Sequence, residues 1–171
     1  NEVCRLSDIV VPGAHNLQNI LAAITAVKSF GVTNEHIIDA LQQFTGVEHR
    51  LEFVANLNER RIYNDSKATN VKATQIALSA FQESIVWIAG GLDRGNELDG
   101  LRPFTEHVKV IVAYGEAQEK FIELAEQLHV SAARAFNLEE ALAIAYDFSD
   151  IGDIILLSPA SASWDQFKSF E

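Results

Sequence analysis

The chain has 171 residues, 48% of them apolar, enough for one domain with a sizeable core or for one domain plus part of another. A formal net charge of −11 argues against a nucleic-acid partner, which is met by clustered Lys and Arg, but not against a small anion held by local donors. Cys4 is the single cysteine, so an intrachain disulfide is excluded and a reducing compartment fits; no apolar run reaches the about 18 residues of a membrane span.

Ile9-Val10-Val11 before Pro12-Gly13 predicts a short strand or extended segment stopped by a turn. Leu17, Ile20, Leu21, Ile24 and Val27 recur at helical spacing up to a stop at Gly31. Asn16 and Asn19 share a face near the start of that helix. Two amides there suit a nucleobase edge, or simply cap and solvate the helix. Thr33 to His36 opens a second helix with Ile37, Ile38, Leu41 and Phe44 inward. Helical periodicity stops at Thr45-Gly46-Val47-Glu48, which reads as a linker between two domains.

Beyond the linker, Leu51–Leu57 and Arg61–Tyr63 predict a hairpin around Asn58-Glu59-Arg60. A helix is expected from Val71 to about Phe81, a strand at Ile85–Ala89 and a short helix at Gly100–His107. Strands follow at Val108–Ala113, Ala132–Phe136 and Asp153–Leu157, with helices at Ala117–Leu128 and Leu138–Phe148 between them. Trp164–Phe170 is expected to start a last helix. Apolar strands alternating with helices predict an α/β fold, a mostly parallel sheet with flanking helices on both faces. In such sheets ligands sit outside the carboxyl ends of the strands.

Three polar loops fall at those ends. Asn64-Asp65-Ser66-Lys67-Ala68-Thr69-Asn70 leads into a helix N-terminus, an arrangement that favours anions; the plainer alternative is a cap by Thr69 or Asn70. Lys67 adds a cation, and Asp65 a partner for a metal or a ribose. Gly90-Gly91-Leu92-Asp93-Arg94-Gly95-Asn96 has the glycine spacing of a phosphate-binding loop, but Asn96-Glu97 stand where Lys-Ser/Thr is required. Arg94 is better suited to clamp a carboxylate in its plane. Ser158, Ser161 and Ser163 precede Trp164 and suit a second carboxylate or a helix cap. Arg50, beside the linker, suits phosphate or ribose, or is a surface residue. The strand ends at Tyr114-Gly115 and Asn137 look short and ordinary, and His36, His107 and His129 read as surface or capping residues.

Taken in order, Gly13-x-His15-Asn16-x-x-Asn19, His49-Arg50-x-Glu52, the Asp65–Asn70 run, Gly90-Gly91 with its following cation, and Leu157-Ser158-Pro159-Ala160-x-Ala162-Ser163-x-Asp165-Gln166-Phe167 resemble the Mur ligases, and among them the D-glutamate-adding branch. The likeness covers essentially the whole chain. Asp-Ser-Lys-Ala-Thr-Asn is its most branch-specific part; His-Asn-x-x-Asn and His-Arg are shared more widely with folylpolyglutamate ligases. The sequence departs at Arg94, where other members carry Lys, and at Ser161, where many carry Cys.

The resemblance implies that residues 1–45 end a central ATP-binding domain and that residues 46–171 are a Rossmann-like C-terminal domain cut short at its end. The chain would then be a fragment of a longer protein, with Thr45–Glu48 as a hinge. It implies a cytoplasmic, monomeric enzyme that uses ATP and Mg²⁺, with metal ligands mostly outside this stretch and none assigned within it. The substrates implied are UDP-N-acetylmuramoyl-L-alanine and D-glutamate, joined through an acyl phosphate; neither nucleic acid nor membrane is a partner. Lys67, at the nucleotide side, and His15 are the implied catalytic residues. Asn16 and Asn19 would meet adenine, and Arg50, Asp65 and Lys67 the ribose and phosphates. Thr69, Arg94, Ser163 and the backbone of Phe170 would hold the D-glutamate carboxylates. Two alternatives stay open: an amino-acid ligase of another Mur or folylpolyglutamate branch, and a non-catalytic, anion-binding Rossmann-like module. With no complete phosphate loop, the isolated chain is not expected to turn over.

Overall fold

Long apolar runs need cover on both sides, and in the computed structural model, which describes residues 3–11 and 13–168, they find it. The chain divides into two compact units, Asn1–Val47 and Glu48–Glu171.

The first unit carries a 3₁₀ turn, Leu6–Asp8, and two helices, α1 (Ala14–Ser29) and α2 (Asn34–Gln43). Thr33 caps α2 by accepting the His36 N–H. Val11, Ile20, Ile24 and Ile37 form its small core. Of the two forms expected for Ile9–Val11, the strand is not formed, because among the described residues the unit offers no partner strand to pair with it; Ile9 has extended backbone. Phe44, expected inward, is exposed, as are Leu21 and Val27 of the α1 repeat: the apolar stripe is wider than the small core can cover.

In the second unit, β1 (Glu52–Leu57) and β2 (Arg60–Asn64) form an antiparallel hairpin. Asn58 and Glu59 close it with φ of 50° and 62°, the left-handed pair that a two-residue turn demands. Then follow α3 (Val71–Leu78), β3 (Ile85–Gly90), a 3₁₀ helix (Asp99–Phe104), β4 (Val108–Tyr114), α4 (Gln118–Leu128), β5 (Ser131–Arg134), α5 (Leu138–Phe148) and β6 (Ile154–Ala160). The sheet order is β1-β2-β6-β3-β4-β5, parallel except for β1. Helix α3 thus ends at Leu78 rather than near Phe81, and His129 closes α4 in the left-handed conformation.

Strand β3 is buried along its whole length, so its residues divide between two cores. Ile85, Trp87 and Ala89 pack with Leu78, Leu101 and Phe121 on one face; Val86 and Ile88 pack with Ala141 and Ala145 of α5 on the other. Each fully buried side chain of this size contributes about 1.5–3 kcal/mol. The last strand, β6, slots between β2 and β3, so the carboxyl ends of β2, β6 and β3 become neighbours. That placement brings the three polar loops onto one edge.

Trp164–Gln166 forms a turn and no helix begins before Lys168. Ser163 uses its carbonyl to accept the N–H groups of Gln166 and Phe167, at 3.2 and 2.9 Å, which closes the turn. Phe170 lies outside the described residues.

Candidate active site

On the β2 side the site is built by side chains. The Asp65 N–H donates to the Leu157 carbonyl at 2.8 Å, locking the loop to β6. The Asp65 carboxylate turns inward and is 7% exposed. Its Oδ1 accepts the Leu51 N–H at 3.1 Å and its Oδ2 accepts the Ser158 hydroxyl at 2.9 Å. Ser158 also lies 3.1 Å from the Thr74 hydroxyl, and its carbonyl accepts the Trp87 indole N–H at 2.8 Å. Burial is the largest influence on Asp65 and raises its pKa to about 6, against the Ser158 and Leu51 hydrogen bonds and the charge of Arg50. Ser158, one of three serines that suited a carboxylate or a helix cap, is fully buried in this network.

His49 and Leu51 flank Arg50 with φ of 65° and 45°, conformations that cost non-glycine residues about 1–3 kcal/mol each. The surrounding bonds enforce them. Glu52 Oε2 accepts the His49 N–H at 2.8 Å and the Asn64 amide at 3.2 Å, and the Lys67 N–H donates to the His49 carbonyl at 3.1 Å. The clamped turn displays Arg50, which is exposed, next to Lys67, which is half-buried. Asn70 is the cap of α3, accepting the Ala73 N–H at 3.0 Å, and exposed Thr69 precedes it.

On the β3 side the backbone does the building. Gly90, Gly91 and Gly115 have φ of 137°, 117° and 73°. A Cβ on Gly90 would strike the Tyr114 carbonyl, and one on Gly91 the Ala162 carbonyl. The glycines therefore serve close packing of strand ends, not a phosphate cradle. Gly115, expected to be ordinary, belongs to the same cluster, where Cα of Gly91 would lie 2.9 Å from its Cβ. The Leu92 N–H donates to the Ala162 carbonyl at 2.8 Å, which joins the loop after β3 to the loop after β6. Asp93 fixes the turn, accepting the Lys120 ammonium at 2.6 Å and the Gly95 N–H at 2.8 Å; Lys120 first, then Gly95, holds its pKa below the usual carboxylate range. Exposed Arg94 lies over the Trp164 ring, 4.7 Å from its centroid, beside half-buried Ser163. Tyr114, buried and near Asp165, has its hydroxyl pKa raised for both reasons.

The edge thus presents an exposed cation on each side, with an exposed hydroxyl by β2 and a half-buried one by β6. Arg50, Lys67 and Thr69 stand by β2, and Arg94 and Ser163 by β3 and β6. Asn16 and Asn19 lie in the first two turns of α1, with His15 one residue before Asn16. They belong to the other unit and are described with it.

Residues 49–161 match a family described as the Mur ligase, glutamate ligase domain. The chain belongs to the Mur ligase family. Relatives named UDP-N-acetylmuramoylalanine--D-glutamate ligase are 54% identical in Bacillus mycoides, over 99% of this chain, and 52% identical in Bacillus subtilis, over 97% of it. The chain spans 38% and 37% of those two relatives' lengths. Among solved structures, a UDP-N-acetylmuramate-alanine ligase of Thermotoga maritima superposes with a TM-score of 0.71 at 21% identity, covering 89% of this chain and 36% of that one. A folylpolyglutamate synthase of the same organism gives 0.65 at 13%, covering 89% and 37%. Both share the fold.

Two features of this Mur ligase domain went unread in the sequence. The clamp of His49, Glu52 and Asn64 around Arg50 joins residues up to fifteen apart, and the bonds of Asp165 and Gln166 to other loops span 49 and 30 positions. The only signal for the second was the presence of Asp165 and Gln166 in the quoted motif, with no task attached.

Proposed function

We propose that the chain is the C-terminal part of an ATP-dependent ligase that joins D-glutamate to UDP-N-acetylmuramoyl-L-alanine by an amide bond. Relatives carrying that name, matched over nearly all of this chain, support the reading. The observation that carries it is the meeting of Arg94 with the loop that bears Ser163. One guanidinium and one hydroxyl at adjoining strand ends suit the two carboxylates of an acidic amino acid, with Thr69 and the Phe170 backbone completing the set. Two held carboxylates fix the direction of the amine, which is the main service a ligase can give to amide formation.

Bound ATP would supply the phosphoryl group that turns the alanyl carboxylate into an acyl phosphate. The donor set on the β2 side fits a nucleotide's phosphates: Arg50 is displayed by a clamped turn and Lys67 follows it at the same edge, so both offset negative charge. Asp65 faces inward and takes a positioning part there, holding the Leu51 turn and the end of β6. Residues 1–45 are assigned to the end of the central ATP-binding domain, with Asn16 and Asn19 toward adenine and His15 beside the reacting groups. Among the described residues no three His, Cys, Asp or Glu side chains gather to hold a metal ion. The reading places the ligands of the Mg²⁺ of such a reaction mostly outside this stretch of the parent protein. Among the described residues no helix is long and apolar enough to cross a membrane.

The test is phosphate release by the full-length parent with ATP, Mg²⁺ and UDP-N-acetylmuramoyl-L-alanine, offering D-glutamate, L-glutamate, L-lysine or diaminopimelate. Release with D-glutamate alone is expected. Arg94→Ala should lower kcat/KM for D-glutamate at least tenfold, the scale of a lost charge-assisted pair of about 1.5–3 kcal/mol, and leave KM for ATP within twofold. Release with a different amino acid would reassign the branch. No release with any would favour a binding module.

A further inference from the structure

The segment after β6 is tied down at three successive points. First, Ala162 bridges to Leu92 at the end of β3. Next, Asp165 Oδ2 accepts the Glu116 N–H at 3.2 Å, at the entrance to α4, whose N-cap Ala117 has no side chain to offer. Last, Gln166 Nε2 donates to the Phe136 carbonyl at 2.9 Å, between β5 and α5. In sheet order these anchors stand at the ends of β3, β4 and β5 in turn. Residues 162–166 therefore cross the carboxyl edge as a strap, pinned on both sides of Trp164.

The strap presents a large ring where burial does not require one. Trp164 is 68% exposed, so its indole contributes little to the core. Its face carries the Arg94 guanidinium, 4.7 Å from the ring centroid. Arg94 arrives from a separate loop, and an exposed arginine samples many rotamers. Stacking removes that freedom in one useful way. A guanidinium lying flat on a ring gives up one face and keeps its in-plane N–H edges, which are the edges that pair bidentately with a carboxylate.

We infer that Trp164 is a positioning residue for Arg94: the strap holds the indole, the indole holds the guanidinium plane, and the plane sets how the amino-acid carboxylate is received. The inference rests on the assignment of Arg94 to the acidic amino acid.

The experiment uses the full-length ligase and measures initial rates of phosphate release while D-glutamate and ATP are varied in turn. A cation–π stack at an exposed site is worth about 0.5–1 kcal/mol, so Trp164→Ala should raise KM for D-glutamate about two- to fivefold with KM for ATP unchanged. Trp164→Phe keeps a ring face and should restore most of the loss. In an Arg94→Ala background, Trp164→Ala should add nothing to the defect in kcat/KM, because it acts only through the guanidinium. An unchanged KM for D-glutamate, an equal rise for ATP, or a full additional loss without Arg94 would each overturn the inference. Wild-type enzyme that releases no phosphate with D-glutamate would instead defeat the functional proposal, and this inference with it.

Discussion

The two sides of the carboxyl edge hold their loops by opposite means. By β2, side chains make the ties: Asp65 to Leu51 and Ser158, Glu52 to His49 and Asn64. By β3 and β4, backbone packs on backbone, with Gly90, Gly91 and Gly115 at positive φ where no Cβ fits. The first arrangement buries a titratable group and depends on its partners. The glycine contacts of the second involve no titratable group and depend on missing volume. One side should therefore answer to pH and to isosteric exchange, the other to a single added methyl.

The largest effect is expected on the glycine side. Gly90 ends an interior strand of the sheet, and both the Tyr114 carbonyl and its neighbouring backbone atoms occupy the space of a side chain. Neither strand can move without breaking the ladder between β3 and β4. Gly90→Ala should cost about 3 kcal/mol or more, read as loss of thermal stability or of folded yield. Gly95→Ala is the matched control: φ is 76°, but nothing lies within 4 Å of the added Cβ. It should cost only about 1–2 kcal/mol, from the left-handed backbone alone. Equal losses would show that φ, not close packing, explains both glycines.

The same contrast explains what was legible in the sequence. Runs such as Ile85–Ala89 and Val108–Ala113 announce buried parallel strands because their composition reflects cover on both faces. Loops at strand ends could be named as candidates on chemistry alone. Their neighbours could not, because adjacency depends on β6 entering between β2 and β3, and nothing in the local pattern encodes that order. Ser158 therefore stood beside Ser161 and Ser163 as a carboxylate holder or a cap when it is a buried partner of Asp65, and Gly115 read as ordinary when it is packed against Gly91. Ile9–Val11 shows the converse: strand propensity without a partner strand yields no strand.

A smaller effect, with a sign that depends on pH, is expected by β2. The folded state raises the Asp65 pKa from 3.8 to about 6 by burial. Between those values the folded protein holds a proton that the unfolded chain releases. The stabilising contribution is therefore complete below about pH 3.8 and is lost as pH rises through about 6, by on the order of 2–3 kcal/mol in all. Asp65→Asn can still accept the Leu51 N–H and meet Ser158, yet carries no charge. It should remove this slope from the pH dependence of stability and match or exceed wild type at pH 8. Thermal melts of both proteins from pH 4 to 8 decide it. A variant less stable than wild type at pH 8 would mean that the ion's partners more than offset its burial.

The smallest effect is expected where the two sides meet. Ala160, at the end of β6, pairs with Gly90, is fully buried and has φ of 57°. The left-handed conformation costs alanine about 1–2 kcal/mol, and glycine would be spared it. Ala160→Gly also removes a buried methyl worth about 0.8 kcal/mol and frees the unfolded chain by about 0.4–1 kcal/mol. These terms nearly cancel, so the thermal stability of Ala160→Gly should lie within about 1 kcal/mol of wild type. A larger gain would place real strain at this corner, at the end of β6 that Ser158 ties to Asp65. A larger loss would make the Ala160 methyl a packing element, and would extend the volume-sensitive side of the edge into β6 itself.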